Sequence, residues 1–157
     1  MKLSELVVEG AIVPQLRSQE RDAAIIELVD ALIAAGAASP DLRDELITAV
    51  LIRESKSSTG FGKGVAVPHV KHRALTKLSA AIGLSARGID FNALDRQPVH
   101  TVFLLLSPAH MPDEHLHAME VIFTSLSKDA FRRVLRQSQT VAEVSALLAQ
   151  ADARAIG

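Results

Sequence analysis

The sequence contains no cysteine. This absence excludes a disulfide framework, a thiolate metal site and a thiol nucleophile. An excess of one charge is also missing, because the formal net charge is −1 and lysine and arginine form no run. We therefore expect no binding to nucleic acid or to an anionic membrane surface driven by bulk charge.

Long hydrophobic runs are absent as well. The apolar run Val102–Leu106 is far too short to cross a bilayer. The N-terminus lacks the charged-then-apolar pattern of a signal peptide, so we expect a cytoplasmic protein without membrane insertion. The 157 residues, of which 48% are apolar and 22% charged, predict a single domain over residues 1–157.

The hydrophobic periodicity predicts a chain that contains both helices and strands. One helix is expected over Arg21–Ala35, where Gly36 ends it, and a second opens at Ser39 and Pro40 and runs to Arg53. Short apolar runs predict strands at Ala11–Val13, Val65–Val67, Leu78–Leu84 and Val99–Leu106. Further helices are predicted from Pro112 onward, over Phe131–Arg136 and over Val141–Leu148.

The most informative segment runs from Arg53 to His69. A glycine-rich loop, Ser57–Gly64, is followed by the apolar run Val65–Val67 and by Pro68 and His69. Proline cannot donate to a sheet ladder, so the predicted strand ends at Pro68 and His69 lies at its tip. An imidazole there suits a nucleophile or a proton carrier, although a surface histidine without a function is the alternative.

Arg53 lies on the apolar side of its predicted helix. At about 100° per residue it falls within about 20° of both Leu42 and Leu46. An arginine that continues a buried stripe must extend to solvent or bind an anion. We therefore consider Arg53 a candidate anion-binding residue rather than an ordinary surface side chain.

The loop before the strand is rich in small and hydroxyl residues. Its candidates for contact with a bulky anionic group are Ser58, Thr59, Gly60, Gly62 and Gly64. The pattern is not a nucleotide-binding P-loop, because Gly64 and Val65 follow Lys63. Glycines that serve turn geometry alone remain the alternative.

His115 is the second candidate histidine. The helix that starts near Pro112 is predicted to bury a stripe formed by Leu116, Met119, Phe123 and Leu126. His115 lies about 60° from the centre of that stripe, whereas His117 lies about 140° away and faces water. In the first helical turn, His115 is placed to lean over a neighbouring strand end.

These motifs resemble a known family. Arg53 and Glu54, followed by Ser-Thr-Gly, Gly-x-Gly and Val-Ala-Val-Pro-His69, are similar to the signature of the fructose/mannitol/nitrogen-regulatory class of phosphotransferase-system enzyme IIA. The resemblance implies one α/β domain with a central mixed sheet flanked by helices, the phosphotransferase/anion-transport-protein-like fold. It also implies that His69 accepts a phosphoryl group from the phosphocarrier HPr, and that Arg53 and His115 stabilise the phosphate. No cofactor or metal is expected.

Two residues depart from the family pattern: Val70 follows the histidine where glycine is usual, and Phe61 replaces a common aliphatic residue.

The resemblance implies a nitrogen-regulatory carrier, free of an attached IIB domain, that passes phosphate to a IIB protein or signals to a regulatory target. A sugar-specific IIA subunit is the alternative. A binding module that has lost phosphorylation is another, since Val70 stiffens the approach to His69. A metal-dependent hydrolase would combine His69 and His72 with His115 and His117.

Overall fold

The structure, a computed structural model, describes residues 1–156. Its helices are α1 (Leu3–Leu6), α2 (Arg21–Ala34), α3 (Arg43–Lys56), α4 (Pro112–Leu126), α5 (Asp129–Gln137) and α6 (Val141–Ile156). Its strands are β1 (Val7–Val13), β2 (Gly60–Gly62), β3 (Val65–Ala66), β4 (His69–His72), β5 (Ser79–Ile89) and β6 (Val99–Pro108). Among these residues, no helix has the length and apolar character needed to span a membrane.

The strands form one mixed sheet. Its order is β1-β5-β6-β3-β2, and β4 also pairs with β6. The β5–β6 and β2–β3 pairs are antiparallel, whereas β1 is parallel to β5, and β3 and β4 are parallel to β6. The predicted fold class, a single α/β domain with a central mixed sheet flanked by helices, is confirmed.

Apolar residues cover both faces of this sheet. Phe103 and Leu105 of β6 belong to a core shared with α1, α4, α5 and α6, whereas Val102 and Leu104 belong to a core shared with α2 and α3. Successive residues of a strand point to opposite faces. The continuous apolar run in β6 is therefore buried on both sides, as its sequence predicts.

The end of α2 and the residues just before α3 adopt the conformations that their glycine, serine and proline residues predict. Gly36 has φ +83°, the left-handed conformation that ends α2. The Ser39 hydroxyl accepts a hydrogen bond from the Asp41 amide and caps a 3-10 turn over Pro40–Leu42. The α-helix itself begins only at Arg43, so the predicted start at Pro40 belongs to this turn.

The strand β3 ends before Pro68, as the sequence predicts, but a further strand, β4, begins directly after it at His69. Val65 lies opposite Thr101 and His69 lies opposite Leu105, so β3 and β4 keep the same register along β6. They form one strand interrupted around Pro68, whose carbonyl still accepts from the Leu105 amide at 3.0 Å. His69 therefore lies at the end of a strand, as predicted, but this is the first residue of β4 and not the free end of β3. Proline removes one donor, but the ladder continues beyond it and leaves His69 partly buried.

The predicted buried stripe of α4 is confirmed only in part, because Leu126 is buried and Met119 and Phe123 are partly buried against the core. Leu116 is 62% exposed, whereas the buried residues are His115, Ala118, Ile122, Ser125 and Leu126. The helix is therefore rotated by about one residue toward a face that includes Ala118, Ile122 and Ser125. This rotation buries His115, which the sequence places only at the boundary. His117 is exposed, as predicted.

Candidate functional site

His69 is held by the backbone of its own strand. Its Nδ1 atom lies 2.8 Å from the Val67 carbonyl oxygen. A carbonyl oxygen can only accept a hydrogen bond, so Nδ1 carries the proton. In the neutral imidazole the other nitrogen, Nε2, then has the free lone pair. The fold thus selects Nε2 as the nucleophilic atom of this side chain.

The surroundings of His69 favour its neutral form. Burial lowers its pKa below the ordinary 6.5, the hydrogen bond to the Val67 carbonyl acts in the opposite direction, and the charge of Arg53 lowers the pKa further. The net direction is downward. At neutral pH the ring is therefore unprotonated at Nε2, which is the state that a nucleophile requires.

His115 lies beside His69. The ring centroids are 5.5 Å apart, with the ring planes inclined by 50°. Burial lowers the pKa of His115 to about 4, and repulsion from the protonated form of His69 and from Lys71 lowers it as well. His115 is neutral at physiological pH, so it carries a single N–H donor rather than a positive charge.

Arg53 adds a positive charge near His69, as Lys71 does. It lies in the last turn of α3 and is partly exposed, and one of its guanidinium nitrogens donates to the Ser57 carbonyl at 2.9 Å. The charge of Arg53 lowers the pKa of His69, and helix α3 packs against β4, the strand that begins at His69. His69 and His115 lie side by side, and Arg53 lies on the neighbouring helix.

Glu54 is a site residue that the sequence reasoning missed. It is only 2% exposed, and its carboxylate accepts from the Thr59 amide at 2.7 Å and from the Thr59 hydroxyl at 2.8 Å. The Thr59 carbonyl in turn accepts from the amide of Val67, at 3.4 Å. Glu54 thereby fixes the loop to the residue that orients His69. Its position one helical turn beyond the buried Val50 is the signal that could have found it.

The hydroxyl groups of the loop already have protein partners. Ser58 donates to the Phe91 carbonyl and accepts from the Gly60 amide, while the Thr59 hydroxyl donates to Glu54. A Cβ atom at Gly60 would lie 2.9 Å from that of Ala93. Glycine at position 60 is thus required by packing, and contact of these three loop residues with phosphate stays a prediction.

Gly62 is the last residue of β2, and Gly64 lies in the turn between β2 and β3. Both have positive φ values, +115° and +78°, and Lys63 between them has φ 61°. Val65, the next residue, is four strand positions from His69, or about 13 Å along the strand. The structure does not bring Gly62 and Gly64 to His69, and their conformation accounts for the glycines as turn residues.

The other histidines that the hydrolase alternative needs as metal ligands do not lie together at one site. His72 lies on β4 and not in a loop, and its Nε2 atom is 3.0 Å from a Glu45 carboxylate oxygen. His115 is buried, whereas His117 is exposed. Within residues 1–156, no three His, Asp or Glu side chains are grouped as metal ligands would be. The hydrolase alternative therefore lacks a ligand set in this part of the chain.

This fold agrees with a known class of proteins. Residues 5–151 match the family model described as "Phosphoenolpyruvate-dependent sugar phosphotransferase system, EIIA 2". The chain belongs to this family of phosphotransferase-system components, and the resemblance stated from its motifs is confirmed.

Relatives in the family carry two kinds of name. The chain is 35% identical to the fructose-specific EIIA component of Haloferax volcanii, over 83% of each chain. It is 34% identical to the nitrogen regulatory protein of Bradyrhizobium diazoefficiens, over 95% of each chain. It is also 33% identical, over 97% of its length, to the fructose-specific EIIABC component of Bacillus subtilis, but it spans only 24% of that longer protein.

Solved structures share the architecture. The nitrogen regulatory protein IIA-Ntr of Neisseria meningitidis superposes with a TM-score of 0.83 at 26% identity, over 93% of this chain and 98% of that one. The mannitol enzyme IIA of Escherichia coli superposes with a TM-score of 0.74 at 21% identity, over 88% and 96% of the two chains. At that lower identity the second comparison concerns the fold alone.

Proposed function

We propose that the protein is a cytoplasmic histidine phosphocarrier. His69 would accept a phosphoryl group on Nε2 from an HPr-like phosphocarrier protein and pass it to a IIB protein or use it to signal to a regulatory target. The observation that carries the proposal is the 2.8 Å hydrogen bond from His69 Nδ1 to the Val67 carbonyl. It fixes the ring and leaves the nitrogen lone pair on the opposite side for phosphorus.

The transfer step balances without a further reactant. The Nε2 lone pair forms a bond to phosphorus, the bond between phosphorus and the donor atom breaks, and its electron pair stays with the donor. The His69 ring, still protonated on Nδ1, gains positive charge as the new bond forms. The Val67 carbonyl stabilises that charge by accepting the Nδ1–H hydrogen bond. Return of the phosphoryl group to an acceptor is the same step in reverse.

Arg53 and His115 complete the proposed phosphate site. The equatorial oxygens carry negative charge in the transition state, and preorganised donors stabilise it. Arg53 presents a planar fork of N–H groups, and only one of its nitrogens is bonded to Ser57. His115 adds a neutral imidazole donor. The protein itself would carry phosphate between partners and turn over no small molecule.

We place the nitrogen-regulatory use first, because the Bradyrhizobium nitrogen regulatory protein covers 95% of both chains. A sugar-specific subunit of a fructose/mannitol-type uptake system is the alternative, supported by the Haloferax fructose-specific component at nearly the same identity. Transfer of label from the phosphorylated protein to a fructose IIB protein would favour the sugar-specific use. Retention of label with that acceptor would favour the regulatory use.

Phosphorylation with enzyme I, HPr and phosphoenolpyruvate tests the proposal. The wild-type protein should acquire an acid-labile, alkali-stable label, and His69→Ala should acquire none. His72→Ala is the matched control, since it removes a histidine from the same strand, and it should retain the label. A folded wild-type protein that takes no label from its cognate HPr would overturn the proposal and leave the unphosphorylated binding module.

A further inference from the structure

His115 has a hydrogen-bond partner that the phosphocarrier proposal does not use. Its Nδ1 atom lies 2.7 Å from the hydroxyl oxygen of Ser107, near the end of β6. Ser107 is completely buried. The contact joins α4 to the sheet directly behind the ring that faces His69.

The hydroxyl can be either donor or acceptor in this contact, and the two cases have different consequences. If Ser107 donates to Nδ1, the single proton of the neutral His115 ring is on Nε2. If Nδ1 donates to Ser107, Nε2 carries only a lone pair. A phosphoryl oxygen can accept a hydrogen bond from the first form of the ring but not from the second.

The burial of Ser107 decides between the two cases. Among the described residues, its hydroxyl has no hydrogen-bond partner other than His115. If Nδ1 were the donor, the hydroxyl proton would be buried without an acceptor, a state disfavoured by tenfold or more, at about 1.4 kcal/mol per factor of ten. Donation from Ser107 to Nδ1 satisfies both groups.

The remaining nitrogen of His115 is open to a ligand. Among the described residues, Nε2 makes no hydrogen bond to the protein, yet it is not among the buried atoms that lack a partner. It therefore reaches solvent on a ring whose neighbour is His69. An N–H group at this atom is available to an oxygen of a group attached to His69.

We infer that Ser107 is a positioning residue that holds His115 in the Nε2–H tautomer, ready to donate to the phosphoryl group. The inference rests on the proposed function, because it assigns the phosphate donor of the same site. The low pKa of His115 is consistent with it, since a ring with one proton has a tautomer to be selected.

The tautomer is measured directly by long-range ¹H–¹⁵N correlation spectra of the unphosphorylated protein at pH 7.5. We expect the Nε2–H tautomer for His115, assigned by its loss in His115→Phe. A spectrum showing the Nδ1–H tautomer would overturn the inference. This measurement involves no phosphoryl transfer, so it stands or fails independently of the phosphocarrier proposal.

A double-mutant cycle tests whether Ser107 acts through His115. Ser107→Ala should slow phosphorylation of His69 about tenfold, and Ser107→Thr, which keeps the hydroxyl, should restore most of the rate. In the His115→Phe background, Ser107→Ala should have no further effect. A tenfold fall in that background as well, or no fall in the wild type, would contradict the inference.

Ser79→Ala is the matched control. Ser79 is also buried, it lies on the neighbouring strand β5, and its hydroxyl has no partner among the described residues. Removal of this hydroxyl should leave the phosphorylation rate unchanged. Equal slowing by Ser79→Ala and Ser107→Ala would show a general response to the loss of a buried hydroxyl and would overturn the assignment.

Discussion

Replacement of His115 by glutamine should make the folded protein less sensitive to acid. The pKa of His115 is about 4 in the folded protein against 6.5 for an unperturbed histidine, chiefly because the ring is buried. As the pH falls from 6.5 toward 4, the unfolded chain binds a proton that the folded chain does not. Stability is therefore lost over this window, and it rises again as the pH rises.

The expected size follows from the two pKa values. Between pH 7 and pH 5, proton linkage to a single histidine with these values removes about 2 kcal/mol from the free energy of unfolding. Screening by solvent at the open side of the ring reduces this to about 1 to 2 kcal/mol. Glutamine does not titrate, so His115→Gln should lose that much less stability than the wild type over the same interval.

Urea unfolding at pH 7 and pH 5 measures this difference. The quantity to compare is the change in the free energy of unfolding between the two pH values, not the absolute stability, because glutamine packs differently from histidine. His117→Gln is the control on the same helix, since its side chain is exposed, and it should lose as much stability as the wild type. An equal loss in His115→Gln and wild type would refute the reasoning.

Three further substitutions test other parts of the site. Glu54→Ala leaves the Thr59 amide and hydroxyl unpaired and should lower the free energy of unfolding by about 2 to 4 kcal/mol in urea, with Glu54→Gln losing less. Arg53→Gln should slow phosphorylation about 100-fold while changing stability by less than about 0.5 kcal/mol. Gly60→Ala forces a Cβ against Ala93 and should cost about 1 to 3 kcal/mol, which Ala93→Gly should partly recover. Equal effects of Glu54→Ala and Glu54→Gln, or unchanged transfer in Arg53→Gln, would contradict these assignments.

The sequence predicts the main helices and strands well, because the spacing of apolar residues follows the side of each element that is buried. The run in β6 and the two helices before the site follow their patterns closely. Helix α4 is the exception, since Leu116 is exposed and His115 is buried. A hydrophobic stripe identifies a helix, but its rotation is decided by which side chains fit against the sheet. Small residues such as Ala118 do not stand out in a hydrophobicity pattern.

The sequence identified candidate site residues only where the side chain is an unusual residue type for its position in a helix or strand. Arg53 and His69 stand out by charge and by motif. Glu54 belongs to the same motif, but its role and that of Ser107 were not predicted, because each depends on a side-chain contact that only the folded chain shows. The group that orients His69 is the backbone carbonyl of Val67. Every residue has a backbone carbonyl, so the identity of residue 67 does not reveal this role.

The identity of the phosphorylated atom tests the central claim most directly. ³¹P and long-range ¹H–¹⁵N spectra of the ¹⁵N-labelled protein, recorded after phosphorylation through HPr, would locate the bond between phosphorus and nitrogen. We predict a single phosphohistidine, His69, with phosphorus on Nε2 and the proton retained on Nδ1. Phosphorus on Nδ1 of His69, or on another histidine, would contradict the account.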